Sequence, residues 1–298
     1  MNIRERHWLA RRLQNFIYNI QWPVNAQEPD YVAKLVDVLP RFIANTLSGL
    51  LPGRQISAGG AFIHQKPLAH FIGKTGYKDP ELGDLLVVCR EKRFSGYVYN
   101  AMLLQAKRSK NPFNETVPND HQYLLYSEWP EFEYRRAGIL NGKTRSILPK
   151  TITQGAQYLL IDDIRPGYLY TATVDRPMNG SKWFARTLAT ILSFDGGRTF
   201  QVSNPRDDWS QVILDLLCLS ASAVFNRRNS GYVGAHRWNG DAAFDYILNS
   251  DVYENDKNGY QQSVDVAADE ALSGMSVICV DLGSSTGLIN EGKRIKKG

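Results

Sequence analysis

Two apolar runs joined by a short turn constrain this chain more than any other feature. Residues 81–110 read ELGDLLVVCREKRFSGYVYNAMLLQAKRSK. The stretch Asp84–Cys89 is almost continuously apolar and includes two valines, which predicts a strand buried on both faces. Phe94-Ser95-Gly96 marks a turn, and Tyr99–Lys107 predicts the partner strand. Asp84 heads the first strand, where a charge is costly unless it is paired or bound to a metal.

The rest of the chain supplies helices and further strands. Tyr31, Leu35, Val38, Phe42, Thr46 and Leu50 recur at helical spacing and predict a helix over 30–50, kinked or split at Pro40 and ended by Pro52-Gly53. Residues 119–128 predict a helix that stops at Trp129-Pro130. Strands are expected at Gln157–Ile161, Tyr168–Val174 and Met275–Val280. Helices are expected at Ser181–Phe194, with Ser181 as cap, and at Asp208–Arg227. Such a mixture is α/β or α+β. The least patterned stretch, 136–152, predicts a lobe boundary near residue 140.

With 298 residues, 43% hydrophobic and 22% charged, the chain is neither disordered nor a coiled coil, and it can bury a core without staples. Cys89, Cys218 and Cys279 each lie in an apolar run and read as buried thiols of a reducing compartment. The basic N-terminus has no apolar signal region, and Asp215 breaks the longest apolar run, so a soluble cytoplasmic protein is expected. The net charge of +5 is concentrated locally. Residues 90–110 carry six basic side chains against Glu91, residues 134–150 carry five and no acid, and the tail EGKRIKKG adds four. Such stretches suit a phosphate backbone, or simply a solvated face.

The candidate site follows from strand alternation. Gln105 and Lys107 point to one face, with Ala106 opposite. If the two strands are neighbours, Asp84, Gln105 and Lys107 converge at one end of a sheet. Gln122 and Tyr126 stand at i and i+4 on one helix face. Each residue also has a plain structural role open to it: a turn cap, an ion pair, a strand end, or helix surface and core.

An Asp on one strand followed by (Asp/Glu/Gln)-x-Lys on its hairpin partner resembles the core of the PD-(D/E)XK nuclease superfamily. The Gln form, LLQAKRS, is similar to Mrr-type restriction endonucleases, and Gln122-Tyr-Leu-Leu-Tyr126 is similar to the extra helix motif of RecB-type nucleases. The resemblance spans roughly residues 30–130. It implies a restriction-endonuclease-like mixed sheet flanked by helices over 1–140, with a C-terminal α+β lobe over 141–298. It implies a nuclease that hydrolyses phosphodiester bonds, of DNA rather than RNA, in restriction or phage defence. Asp84 would bind Mg²⁺, or Mn²⁺ in its place. Gln105 and the Ala106 carbonyl would add oxygens, Lys107 would orient water or offset phosphate charge, and Gln122 and Tyr126 would brace the site or touch DNA.

Gln105 in place of an acid weakens the metal set. The acid usual on the preceding helix is not obvious: Glu81 is the first choice and Asp37 the second. His64 or His70 could complete the site. The rival reading is the same fold with a decayed site, a DNA-binding subunit of a larger complex. The C-terminal lobe could hold a protein partner or form a homodimer. Asp162-Asp163 reads as a turn rather than a metal pair, and Asp281-Leu-Gly-Ser-Ser-Thr-Gly287 as a polar exit after a strand rather than a phosphate loop. WPEFEYRRAG could stack on bases or form a surface hairpin.

Overall fold

A computed structural model describes residues 1–63, 67–116, 120–174, 178–180, 182–228, 240–249 and 274–284. In chain order the elements are α1 (Ile3–Tyr18), α2 (Glu28–Leu50), β1 (Ser57–Ala61), β2 (Leu68–Phe71), β3 (Leu85–Arg93), β4 (Gly96–Ser109) and α3 (Asp120–Glu128). They continue as β5 (Phe132–Arg135), β6 (Thr144–Arg145), β7 (Ala156–Asp162), β8 (Leu169–Ala172), β9 (Lys182–Trp183) and α4 (Phe184–Leu192). The last are β10 (Arg198–Phe200), α5 (Asp208–Arg228), α6 (Gly240–Leu248) and β11 (Ser276–Asp281).

The expected hairpin forms. Leu85 pairs with Leu104 and Arg93 with Gly96, antiparallel throughout. The turn needs a glycine, because Gly96 sits at φ +121°, a region that side chains disfavour. The hairpin lies inside an eight-stranded mixed sheet of order β1-β11-β3-β4-β7-β8-β9, with β10 added alongside β4. Strand β4 runs parallel to β7, and β3 parallel to β11. The strands that pair parallel are buried on both sides, which is why they read as continuous apolar runs.

Alternation divides the sheet into two apolar faces. Leu85, Val87, Cys89, Met102, Leu104 and Ala106 join the buried side chains of α1, α2 and α4. Leu86, Val88, Tyr99, Ala101 and Leu103 join those of α3, α5 and α6. Asp84 and Gln105 extend the second set, since each is one residue out of phase with the first. A three-stranded sheet, β2-β5-β6, contributes Phe71, Phe132 and Tyr134 to the same core. By length and composition α5 could cross a membrane, but more than half of it is buried within the protein.

Several expectations change. Helix α2 begins at Glu28, capped where Asp30 Oδ2 accepts the Gln27 N–H at 2.7 Å, and it runs unbroken through Pro40. Helix α1 was hidden by its basic residues, yet Leu9, Leu13 and Ile17 form a buried stripe at i, i+4, i+8. Helix α4 starts only at Phe184, because Lys182 and Trp183 pair with Thr171 and Tyr170 as a short edge strand. Ser181 lies outside the described residues. The boundary expected near residue 140 does not separate two sheets: β7, β8, β9 and β11 complete the sheet that β1, β3 and β4 begin. The aromatics of WPEFEYRRAG are buried, with Trp129, Phe132 and Tyr134 in the core, so they present no stacking surface. The Asp162-Asp163 segment is a turn, in which Asp162 accepts from the backbone of Ile164 and Arg165.

Candidate functional site

Asp84 and Gln105 meet directly across the hairpin. The pairing of Leu85 with Leu104 puts them opposite one another, and the Asp84 N–H donates to Leu104 O at 2.8 Å. The Gln105 amide donates to Asp84 Oδ2, and the Ala106 N–H donates to the same oxygen at 2.7 Å. Both side chains are almost fully buried, at 3% and 2% exposure. A carboxylate so placed needs such donors, since an unpaired charge would not remain in the interior.

Lys107 follows two residues along β4, on the face that alternation gives to Gln105. Its Nζ lies 3.4 Å from Glu28 Oε2, and the Arg108 N–H donates to Glu28 Oε1 at 3.0 Å. Glu28 opens α2, where the partial positive charge of a helix N-terminus favours a carboxylate. The acid that reaches Lys107 from the preceding helix is Glu28. Of the residues first considered, Asp37 does not reach Lys107, and Glu81 stays on the Tyr126 side, near Asp84. Asp37 lies about 14 Å further along the helix axis, at 1.5 Å per residue, where it pairs with Lys34 at 3.1 Å. Glu81 bridges to Leu68 in the loop before Asp84. Glu28 was legible only as a helix-start acid, well upstream of the window that held the other residues. The Lys107–Glu28 end is the open side of the cluster, with 17% and 32% of those side chains exposed.

Helix α3 closes the other side. The Tyr126 hydroxyl donates to Leu82 O at 2.7 Å, and a β-carbon at Gly83 would lie 2.9 Å from that hydroxyl oxygen. The loop leading to Asp84 thus passes the tyrosine at a distance only glycine allows. Burial first, then the neighbouring Tyr158, Asp84 and Glu81, push the Tyr126 hydroxyl well above its ordinary range. Gln122 stands one turn before Tyr126 and is also buried, and its Oε1 has no hydrogen-bond partner among the described residues. Tyr126 packs in the core against Trp129, so its described contacts are those of a brace.

His70 is occupied elsewhere: on β2 its Nδ1 lies 2.8 Å from Asp79 Oδ1. His64 lies outside the described residues. Much of the local basic charge is paired. Arg90 binds Asp281 and Asp245, Arg93 binds Glu91, Arg108 binds Asp163, Arg135 binds Asp79, and Arg145 binds Asp215. Lys92, Lys110, Arg136, Lys143 and Lys150 remain exposed.

The oxygen donors suit a hard cation in kind: the Asp84 carboxylate, the Gln105 amide, the Ala106 carbonyl and, beyond Lys107, Glu28. In number they are few, and among the described residues no three His, Cys, Asp or Glu side chains gather as a metal cluster. Mg²⁺ accepts such a sparse set, since it keeps several waters and uses one or two carboxylates plus substrate phosphate. No known protein family, curated protein or solved structure matches this chain.

Proposed function

We propose that this chain is a metal-dependent nuclease that hydrolyses phosphodiester bonds in DNA, built on a restriction-endonuclease-like core. The supporting observation is the cross-strand pair Asp84–Gln105 with Lys107 two residues on and Glu28 brought to Lys107 by the preceding helix. This is the residue order of the PD-(D/E)XK resemblance, on a hairpin inside a mixed sheet. In this reading Glu28, through its contact with Lys107, would stand for the helix acid that the sequence pattern lacked.

The roles follow from chemistry. A divalent cation, when bound, supplies Lewis-acid polarisation of the phosphoryl group and an acidified water. Asp84, held in one orientation by Gln105 and Ala106, presents the negative charge that attracts such a cation. Lys107 extends an ammonium group toward the solvent-facing end, where it can offset charge that builds on the phosphate oxygens. Glu28 restrains that ammonium. Tyr126 fixes the loop that carries Asp84. Restriction or phage defence remains a proposal from the resemblance alone.

A second reading has a specific observation in its favour. Asp84 Oδ2 already accepts two hydrogen bonds, and Gln105 turns its N–H toward the carboxylate. That arrangement also suits a DNA-holding subunit with no cleavage. A plasmid-nicking assay with Mg²⁺ and with Mn²⁺ separates the two. Nicking by the wild type, lost in Asp84→Ala and Lys107→Ala while DNA binding persists, supports the nuclease. Binding without nicking in either metal overturns it in favour of the holding subunit.

A further inference from the structure

A row of aromatic rings gathers at the β8–β9 edge of the sheet. Tyr18 meets Tyr168 at 4.3 Å between ring centres, Tyr168 meets Trp183 at 5.4 Å, Trp183 stacks on Tyr170 at 4.6 Å, and Tyr170 meets Phe113 at 5.0 Å. Tyr170 is buried and anchors the row. Tyr18, Trp183 and Phe113 are 41%, 37% and 50% exposed. Large exposed aromatics in continuous contact are more than the scattered apolar residues that any surface carries.

Strand register ties this row to Lys107. Lys107 pairs with Leu160, Leu160 with Tyr170, and Tyr170 with Trp183, so all four occupy one rung and share a face. Three inter-strand spacings of about 4.8 Å put Trp183 roughly 14 Å from Lys107.

The surrounding charge is cationic. Lys182 precedes Trp183, and Arg186 follows it by three residues on the first turn of α4; both are exposed and take no ion-pair partner among the described residues. The Arg165 guanidinium lies 4.5 Å from the centre of the Tyr168 ring. The two acids of the adjoining turn, Asp162 and Asp163, are each held by an arginine, Arg165 and Arg108. Rings for bases and cations for phosphates are the recognition chemistry of an unpaired strand.

We infer that this row is a stacking platform for unpaired DNA bases. The inference rests on the nuclease reading for the choice of DNA, but not for the stacking chemistry. Binding of fluorescein-labelled oligothymidylate is followed by anisotropy in EDTA, so that no cleavage intervenes. Trp183→Ala should weaken it roughly five- to 150-fold, the range for losing one stacked base. Trp183→Phe should restore most of it, and affinity for a duplex of equal length should change little. In the unaltered protein, photocrosslinking of a 5-iodouracil-substituted oligomer should label Trp183, Tyr168 or Phe113. Equal loss of duplex binding, tighter binding of oligouridylate, or crosslinks only elsewhere overturn the platform. Strong single-strand binding at the row with no cleavage in Mg²⁺ or Mn²⁺ leaves the platform standing and removes the nuclease.

Discussion

Gln105 and Ala106 close on a single carboxylate oxygen of Asp84, from the next strand of the same hairpin. The contact meets an ordinary structural need, a buried acid that requires donors, at the residues on which the proposed nuclease reading rests. Its two roles can be separated by substitution.

Asp84→Ala leaves the Gln105 amide and the Ala106 N–H buried without their acceptor. The expected loss of stability is about 1–3 kcal/mol. Asp84→Asn keeps the shape and one acceptor oxygen and should lose less, while abolishing nicking as fully as the alanine variant. Urea unfolding and the plasmid assay together check this. An asparagine variant that nicks at the wild-type rate would remove Asp84 from the chemistry.

Lys107→Ala and Glu28→Gln should barely change stability. The pair is partly exposed and 3.4 Å long, and such pairs contribute about 1 kcal/mol or less. Cleavage should respond far more strongly, with Lys107→Ala costing about 10²–10³-fold, the usual cost of losing a group that stabilises transition-state charge. Initial rates at saturating Mg²⁺ measure it. A Lys107→Ala rate within a factor of about three would contradict that role.

Tyr126→Phe removes the hydroxyl that holds Leu82 O and should cost about 1 kcal/mol. Gly83→Ala should cost more, because its β-carbon would lie 2.9 Å from that hydroxyl. In the double variant the alanine penalty should shrink, since the clashing oxygen is gone. Thermal melts of the four proteins give the coupling directly, and additive losses would refute the contact.

The hairpin was legible because its strands lie in the interior of the sheet, where both faces demand apolar residues. Asp84, Gln105 and Lys107 were legible because strand alternation is local. Glu28 was not, because proximity to Lys107 depends on how α2 packs over a sheet whose strands come much later in the chain. The position of β11 between β1 and β3 was equally hidden: VICV announces a strand but not its neighbours. Helix α1 was obscured by arginines on its exposed side, which drew attention to charge and away from Leu9, Leu13 and Ile17.

Glu91 predicts a pH dependence. Burial pushes its carboxyl up, and the Arg54 and Arg93 guanidiniums outweigh that and hold it below its ordinary value. Its folded pKa is therefore lower than its unfolded value of about 4.3. The stabilisation is complete above the unfolded value and is lost as pH falls through the folded one. The difference in urea midpoint between wild type and Glu91→Gln should be largest near neutrality and should narrow in acid. A gap that stays constant down to about pH 3 would show that the ion pairs do not set it.

The thiols should be slow to react. Burial, then Asp215, push Cys218 up to about 11, and burial pushes Cys89 and Cys279 well above the ordinary thiol range. Thiolate is the reactive form, so iodoacetamide at pH 8 should label the native protein sparingly and all three cysteines after unfolding. Rapid native labelling at Cys89 would mean that the strand carrying it opens readily.

Strand β11 is the last of the described strands in the chain, yet it sits inside the sheet, between β1 and β3. Until residue 281 has been synthesised, β1 and β3 have no common neighbour, and each leaves a row of backbone donors and acceptors open to another molecule. The hairpin of β3 and β4 therefore gains its neighbour on the β3 side only once β11 has been made. Nascent chains halted at residue 274 should stay protease-sensitive and aggregation-prone even though Asp84, Gln105 and Lys107 have all been made. Completion of the sheet is thus timed by a segment that contributes no group to the Asp84–Gln105 pair.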